Sequence, residues 1–446
     1  MNDPSGNYQS VLIVGAGVAG LSCAVTLHRA GIPFRLLDKD QSVGGRVQTD
    51  EVNGFRLDRG FQVLLTAYPE ARKFLDYEKL ELRKCYPGSR VWCKDKFHQV
   101  SDPFRHPLDG AISVFNPIGS LFDKVKVGML RMGLLSTSSL EDTLSTREAL
   151  AKLGYTQAII DRFWKPFMRG VFLENQLSTS VRKFEETFSL FAKGDTVLPR
   201  LGIGEIPKQM AKQLPDDSIF LSQEVQKVME STVVMADGKE WSGRAVVLAT
   251  EEPVANRLLG IDGPTREWNA VDCLYFSLPE KEIPSPTPIL HLDGSGAGPI
   301  NNLTFLSTLS DCAPQGRALA SASVIGKKEL EIDQLVALAN QQLKLWFGEK
   351  TKKWDFLRAY RICNAVPSCD VVPDLEIKKN GIYRCGLKHN RCPPHRSGNW
   401  KTYLPKGFGD QCPFSHLYPV PRLINYTTKG CGICGRGRNI QPVFRD

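Results

Sequence analysis

Apolar positions along this chain are grouped, and their spacing changes from segment to segment. Val11-Leu12-Ile13-Val14 is a continuous apolar run, the pattern of a strand buried on both faces. A glycine-rich turn follows, then a helical period over residues 21–29, then a second apolar strand, Phe34-Arg35-Leu36-Leu37. The order is that of a βαβ unit. Ala245-Val246-Val247-Leu248-Ala249-Thr250 predicts a further strand of the same kind. Residues 76–195 are predicted mostly helical, with proline breaks near Asp102-Pro103 and His106-Pro107. Within them Phe163, Trp164, Phe167 and Phe172 form an aromatic cluster that reads as core rather than as a substrate tunnel. Short β-rich runs at 273–278, 288–292, 302–309 and 318–325 predict a mixed sheet. Residues 328–347 predict a helix with Leu335, Leu338 and Leu345 on one face.

The turn after the first strand carries the chemistry. Gly15-Ala16-Gly17-Val18-Ala19-Gly20 is a G-x-G-x-x-G run with a strand before it and a helix after it, the context the motif needs. Gly15 serves the tight turn. Gly17 lets the backbone approach a pyrophosphate, and Gly20 lets helix and strand pack closely. Asp38, followed by Lys39, closes the second strand 23 residues after Gly15, where a carboxylate can take a pair of ribose hydroxyls. A second glycine pair follows at once, Gly44-Gly45-Arg46. A nicotinamide dinucleotide does not need it. A bulkier dinucleotide does, because its phosphates and side chain run on past the helix N-terminus, and Arg46 offers paired donors for phosphate.

Residues 11–47 resemble the flavin-binding signature of the FAD-dependent amine oxidase superfamily, which protoporphyrinogen oxidases and phytoene-type carotenoid desaturases share. The resemblance implies FAD as cofactor and an FAD-dependent oxidoreductase that transfers a hydride equivalent from an apolar or amine substrate. It also implies an α/β fold, a Rossmann-like FAD-binding domain with an interleaved α+β substrate domain. The FAD-binding domain would comprise 1–75 and 196–260 and return at about 355–386; the substrate domain would comprise 76–195 and 261–354. Gly60-Phe61-Gln62, within the run from Phe55 to Gln62, is similar to the family's segment beside the isoalloxazine ring. Residues 198–207 resemble its glycine-rich turn, and Val225 lies in a strand resembling the one whose backbone meets the adenine. Gly386 stands where the family's flavin-closing segment would begin. Flavin carries the redox chemistry, so no side-chain acid or base is obligatory. None is assigned, and no Ser-His-Asp, HExxH or paired-carboxylate pattern is present.

Composition and charge qualify this reading at one end. Of the formal charge of +9, residues 387–446 carry ten Lys or Arg against two acids, which leaves the first 386 residues at +1. The body therefore gives no reason to expect a nucleic-acid partner. Residues 387–446 also hold seven Pro and seven Gly, no Ala or Glu, and no period, so this basic tail is expected to be disordered. Where the family resemblance implies an acid and an alanine-rich helix after Gly386, the chain has Leu387 and no helix pattern. An altered reading frame or retained intron after about Gly386 is the favoured explanation. It makes a non-catalytic or FAD-deficient variant the alternative function. Two other readings of the tail stay open: a basic arm for nucleic acid or acidic lipid, and a zinc site from Cys392, His395, Cys412, His416, Cys431 and Cys434. No metal site is assigned. The absence of a leader pattern at 1–10 and of a roughly 20-residue apolar run points to a cytoplasmic protein. The helix over 121–135 could touch a membrane peripherally, but is read instead as lining the substrate domain.

Overall fold

The structure is a computed structural model and describes residues 9–135, 137, 140–262, 267–326, 329–368, 378–379 and 382–384. The tail and Gly386 lie outside the described residues. Two sheets organise the rest. The first contains β1 (Val11–Val14), β2 (Phe34–Leu37), β3 (Ile219–Phe220), β4 (Ala245–Leu248), β5 (Lys378–Lys379) and β6 (Ile382–Arg384), in the order β3-β2-β1-β4-β6-β5. All its pairings are parallel except β5 with β6.

Central β1 explains its unbroken apolar run. Val11 and Ile13 join a core with Leu21, Ala24 and Val25 of helix α1 (Val18–Arg29). Leu12 and Val14 join a second core on the opposite face, with Val228, Val233, Met235 and Leu258. That face is covered by a three-stranded antiparallel sheet over 225–242. A parallel strand covered on both sides has no polar face to alternate with.

The second sheet has seven strands. Their order is Asp355–Pro367, Trp268–Pro279, Arg317–Ile325, Ile300–Phe305, Leu290–Asp293, Gly88–Cys93 and Lys96–Ser101. The four β-rich runs read from the sequence are four of these strands. Only Leu290–Asp293 with Gly88–Cys93 is a parallel pair. Along Trp268–Pro279 the side chains alternate: Cys273 and Tyr275 enter the β1–α1 core, whereas Leu274, Phe276 and Leu278 pack under helix α2 (Ile332–Phe347). One face of this sheet thus meets the nucleotide-type domain and the other its own helix.

Three expectations change. Residues 355–367 do not return to the first sheet; they pair with Trp268–Pro279, and the chain re-enters the first sheet only at 378–384. A long alternating strand does not announce which sheet it joins. The hairpin over 88–101 lies inside the stretch read as mostly helical. Helix α2 buries Leu335, Ala339, Leu343 and Trp346, while Leu338 and Leu345 are 40% and 55% exposed. The buried stripe follows the helical repeat through Ala339 and Trp346, which a leucine-only reading misses.

The aromatic cluster is core. Trp164 is fully buried and makes edge contacts with Tyr155, Phe163, Phe184 and Phe188. The helix Leu121–Arg131 behaves differently from its reading: it buries only Asp123 and Leu130, and turns Leu121, Phe122 and Val125 outward.

Candidate dinucleotide site

The carboxyl ends of β1, β2 and β4 meet at a backbone-built cradle. Gly15 has φ +107°, and its amide donates to the Leu37 carbonyl. A Cβ there would lie 2.9 Å from the Ala249 carbonyl oxygen. A Cβ on Gly20 would overlap the Gly15 carbonyl, so this glycine is what allows α1 to sit on the turn. Gly17 is different. Nothing lies closer to its missing Cβ than the Gly44 carbonyl oxygen at 3.9 Å. Protein packing therefore accounts for Gly15 and Gly20, and leaves open space in front of Gly17.

The second glycine segment docks beside the first. Gly44 donates its amide to the Ala16 carbonyl, and Gly17 and Gly44 form an isolated parallel bridge. Gly44 has φ +120° and Gly45 φ +57°. Helix α1 starts at Val18 with no side-chain cap and no acid in its first turn, and carries His28 and Arg29 in its last. Its first turn, including Val18, Ala19 and Gly20, thus offers positive potential and carries no acid of its own.

Asp38 closes the cradle from below. One carboxylate oxygen accepts the Ala16 amide at 2.5 Å and the other accepts the Asp40 amide at 2.9 Å. Burial pushes this carboxyl above its ordinary value, against the lowering by those two bonds. Its first task here is to hold the glycine turn; each oxygen keeps a second lone pair. Lys39 points to solvent. The backbone of 222–223 runs alongside, with the Gln223 amide donating to the Asp38 carbonyl, and brings the buried Val225 to this edge.

Arg46 is the residue whose surroundings differ most from the sequence reading. Its guanidinium donates to the Asn364 and Ala365 carbonyls at 3.1 and 2.6 Å, lies 3.5 Å from Glu251, and covers the Trp268 ring at 5.8 Å. It ties the second glycine segment to strand Asp355–Pro367 and to the residue after Thr250. Gln62 donates to the Arg46 and Arg59 carbonyls at 2.9 and 3.2 Å. Gly60, with φ +91°, lies against Ile362, and Phe61 packs on the β1–α1 core. The structure thus brings Gly60, Phe61, Gln62 and the second glycine pair together.

Behind them a buried carboxylate fixes the floor. Asp58 accepts from the Thr49 hydroxyl at 2.6 Å and the Ile203 amide at 3.0 Å, and the Thr49 hydroxyl in turn accepts the Gly204 amide. Burial raises the Asp58 carboxyl to about 6. The Tyr275 hydroxyl donates to the Asp58 carbonyl at 2.7 Å, linking this floor to the seven-stranded sheet.

Sequence reasoning missed two polar groups at this edge. The Thr250 hydroxyl and the Trp268 indole N–H are buried without a hydrogen-bond partner. Thr250 follows the end of β4, the position where open α/β sheets place ligands, so it was findable. Trp268 had no signal, since it reaches Arg46 only through the fold. Orphaned buried polar groups beside a cradle with open space are what a bound polar ligand would satisfy. The residues present fit a dinucleotide. Among the described residues no His/Cys/Asp/Glu group could hold a metal ion.

Comparison with known proteins agrees. Residues 18–371 match the family model of flavin-containing amine oxidoreductases. The chain is 34% identical over 93 residues to the phytoene desaturase of Fusarium fujikuroi, covering 20% of this chain and 16% of that protein. It is 27% identical over 312 residues to the lycopene-forming phytoene desaturase of Pantoea ananas, covering 60% of this chain and 63% of that protein. It therefore spans less than two thirds of these relatives' lengths. An oxidoreductase structure from Methanosarcina mazei shares the fold, with TM-score 0.68, 17% identity, and coverage of 85% of this chain and 94% of that one. With its family match reaching over most of the described residues, the chain belongs to the flavin-containing amine oxidoreductases, and its cofactor is FAD.

Proposed function

We propose that this chain is an FAD-dependent oxidoreductase that removes a hydride equivalent from a small apolar substrate drawn from a lipid surface. The observation that carries the cofactor half is the open space before Gly17, framed by glycines the protein itself needs. In this reading the first-turn amides of α1 and the Gly15–Gly17 turn meet the pyrophosphate. Asp38 takes ribose hydroxyls on its remaining lone pairs, and the backbone near Val225 flanks the adenine. Gly44, Gly45 and Arg46 follow the phosphates and ribityl chain, and Gly60, Phe61 and Gln62 lie beside the ring. When bound, FAD supplies the ring system that accepts the hydride equivalent. The chain positions the substrate and excludes water. No proton-transferring side chain is needed for that, and the fully buried Asp58 is a structural carboxyl rather than a base.

The apolar choice of substrate rests on the surface. Ten of the fifteen large hydrophobic side chains exposed among the described residues fall between 104 and 134, among them Leu108 (83%), Phe115 (90%) and Phe122 (78%). The Lys124 ammonium donates to the Val114 and Asn116 carbonyls, and Arg131 covers the Phe104 ring, so these segments form one patch. Exposed apolar side chains beside Lys124 and Lys126 suit an anionic bilayer surface. No helix among the described residues is long and apolar enough to cross a membrane. Two relatives named for acting on phytoene support the same substrate class. The test is anaerobic mixing of FAD-loaded protein with a polyene in anionic vesicles and, separately, with a diamine. Bleaching of the flavin absorbance by the polyene alone is expected. Bleaching by the amine alone overturns the substrate class, and protein that binds no FAD overturns the whole reading.

A further inference from the structure

The far face of the seven-stranded sheet carries a cavity of about 450 Å³ lined by Arg90, Phe97, Gln99, His291, Trp346, Lys350 and their neighbours Pro284 and Phe347. Strand register builds its floor. Arg90 is the partner of His291 on one side and of Gln99 on the other, so three polar side chains stand in a row across adjacent strands. The end of α2 and the turn after it supply the walls. Phe97 stacks on Phe347 at 5.5 Å and meets Trp346 edge-on at 5.5 Å, and His291 meets Phe97 at 5.0 Å. This face is the one turned away from the dinucleotide cradle, because the opposite face presents Cys273 and Tyr275 to the β1–α1 core.

The charges here are unbalanced. The half-buried Arg90 guanidinium makes one hydrogen bond, to the Ser285 hydroxyl at 3.2 Å, and no carboxylate pairs with it among the described residues. Lys350 adds a second cation at the rim. The nearby Glu282 is engaged by Lys353 at 2.9 Å and also feels Lys350, so Arg90 is the lining cation left without a carboxylate among the described residues. No acid lines the cavity. His291 is held neutral by burial, its pKa down to about 3, and its Nδ1 has no partner. A guanidinium kept half out of water beside aromatic rings, without a counter-charge, is set up for an external anion.

We propose that this cavity is a second ligand site, separate from the flavin site, that takes a planar aromatic carboxylate of one or two rings. The carboxylate pairs with the Arg90 guanidinium, with Lys350 as the second cation, and the ring system lies against the packed cluster of Phe97, Trp346 and Phe347 that lines the cavity. The volume suits a ligand of that size.

The test is calorimetric titration of the FAD-loaded full chain with 2-naphthoate, 2-naphthylmethanol and cyclohexanecarboxylate, with flavin absorbance followed in parallel. Naphthoate is expected to bind, and each control to bind at least about tenfold more weakly, the alcohol for want of a charge and the cyclohexane acid for want of a flat ring. Arg90→Gln is expected to weaken naphthoate by about tenfold, and Lys350→Gln by about threefold, with FAD content and melting temperature unchanged. Should Arg90→Gln fold poorly, the rim variant Lys350→Gln and the two control ligands still decide the matter. The proposal falls if naphthoate gives no heat, if it binds Lys350→Gln and the alcohol binds wild type equally well, or if binding releases FAD.

Discussion

Replacing Gly17 and Gly20 separately by alanine distinguishes a glycine kept for a ligand from one kept for the fold. At Gly20 the new methyl group would overlap the Gly15 carbonyl, which is backbone and has little room to yield. Overpacking of this kind costs at least about 2 kcal/mol. Gly20→Ala is therefore expected to lower the melting temperature of the apoprotein clearly and to lose FAD as a consequence. At Gly17 the backbone is extended (φ −69°, ψ 177°), and the nearest atom to the methyl would be 3.9 Å away. Alanine there changes only an N-cap, worth about 1 kcal/mol or less. The apoprotein should melt within about 3 °C of wild type.

In the proposed reading, the same methyl would stand where the pyrophosphate approaches α1. A one-carbon clash against a ligand held by backbone costs about 1–3 kcal/mol, which weakens FAD by roughly 5- to 150-fold. The assay is titration of apoprotein with FAD, read by quenching of flavin fluorescence, alongside thermal melts without FAD. The reasoning is refuted if Gly17→Ala binds FAD within about twofold of wild type, or if its apoprotein melts as low as that of Gly20→Ala.

Three further outcomes follow from the structure. Asp58 rises from 3.8 to about 6 on folding, so the folded state binds the extra proton between those values; stability falls as pH rises through that window, by up to about 3 kcal/mol, and is level above it. Asp58→Asn keeps the oxygen that accepts from Thr49 and Ile203 but removes the charge, so urea melts should show a gain of about 1–3 kcal/mol at pH 8 and little at pH 4; equal effects at both values would contradict the assignment. Phe115→Ser with Phe122→Ser should cut partitioning into anionic vesicles by about a hundredfold, at about 1.5 kcal/mol for each ring, while leaving the melting temperature unchanged; unaltered flotation would remove the patch as the bilayer contact. Arg46→Lys keeps the charge but shortens the reach to the Asn364 and Ala365 carbonyls, both served by one guanidinium nitrogen, and should cost about 1–2 kcal/mol in melts of the apoprotein, a loss absent if those two bonds contribute nothing.

The nucleotide-type half of the fold was legible because its signals are local. An apolar run, a glycine turn and a helical period succeed one another within β1 and α1, and each demands its neighbour sterically. The second sheet was legible as strands but not as a sheet. Trp268–Pro279 pairs with Asp355–Pro367 across a long intervening stretch, and nothing in either strand names the other. Helix α2 shows the same limit at smaller scale. Leu338 is as apolar as Leu335, yet only the position of the sheet decides that Leu335 is buried and Leu338 is not.

At the site, residue type was a good guide to where a group lies and a poor guide to its partner. Asp38 and Arg46 both stand at the cradle, as the motif spacing required. Yet Asp38 spends one lone pair of each oxygen on the Ala16 and Asp40 amides, and Arg46 spends donors on two carbonyls of strand Asp355–Pro367. Both side chains therefore act first on the protein, by fixing the two glycine segments at the spacing a dinucleotide needs. Any contact they make with FAD is an addition to that role. Substitution at either position accordingly loosens the cradle before it removes a ligand contact. Gly17 has no such double duty, since it has no side chain to spend and no protein atom to avoid. It is the one motif position at which a change in FAD affinity reports on the ligand alone.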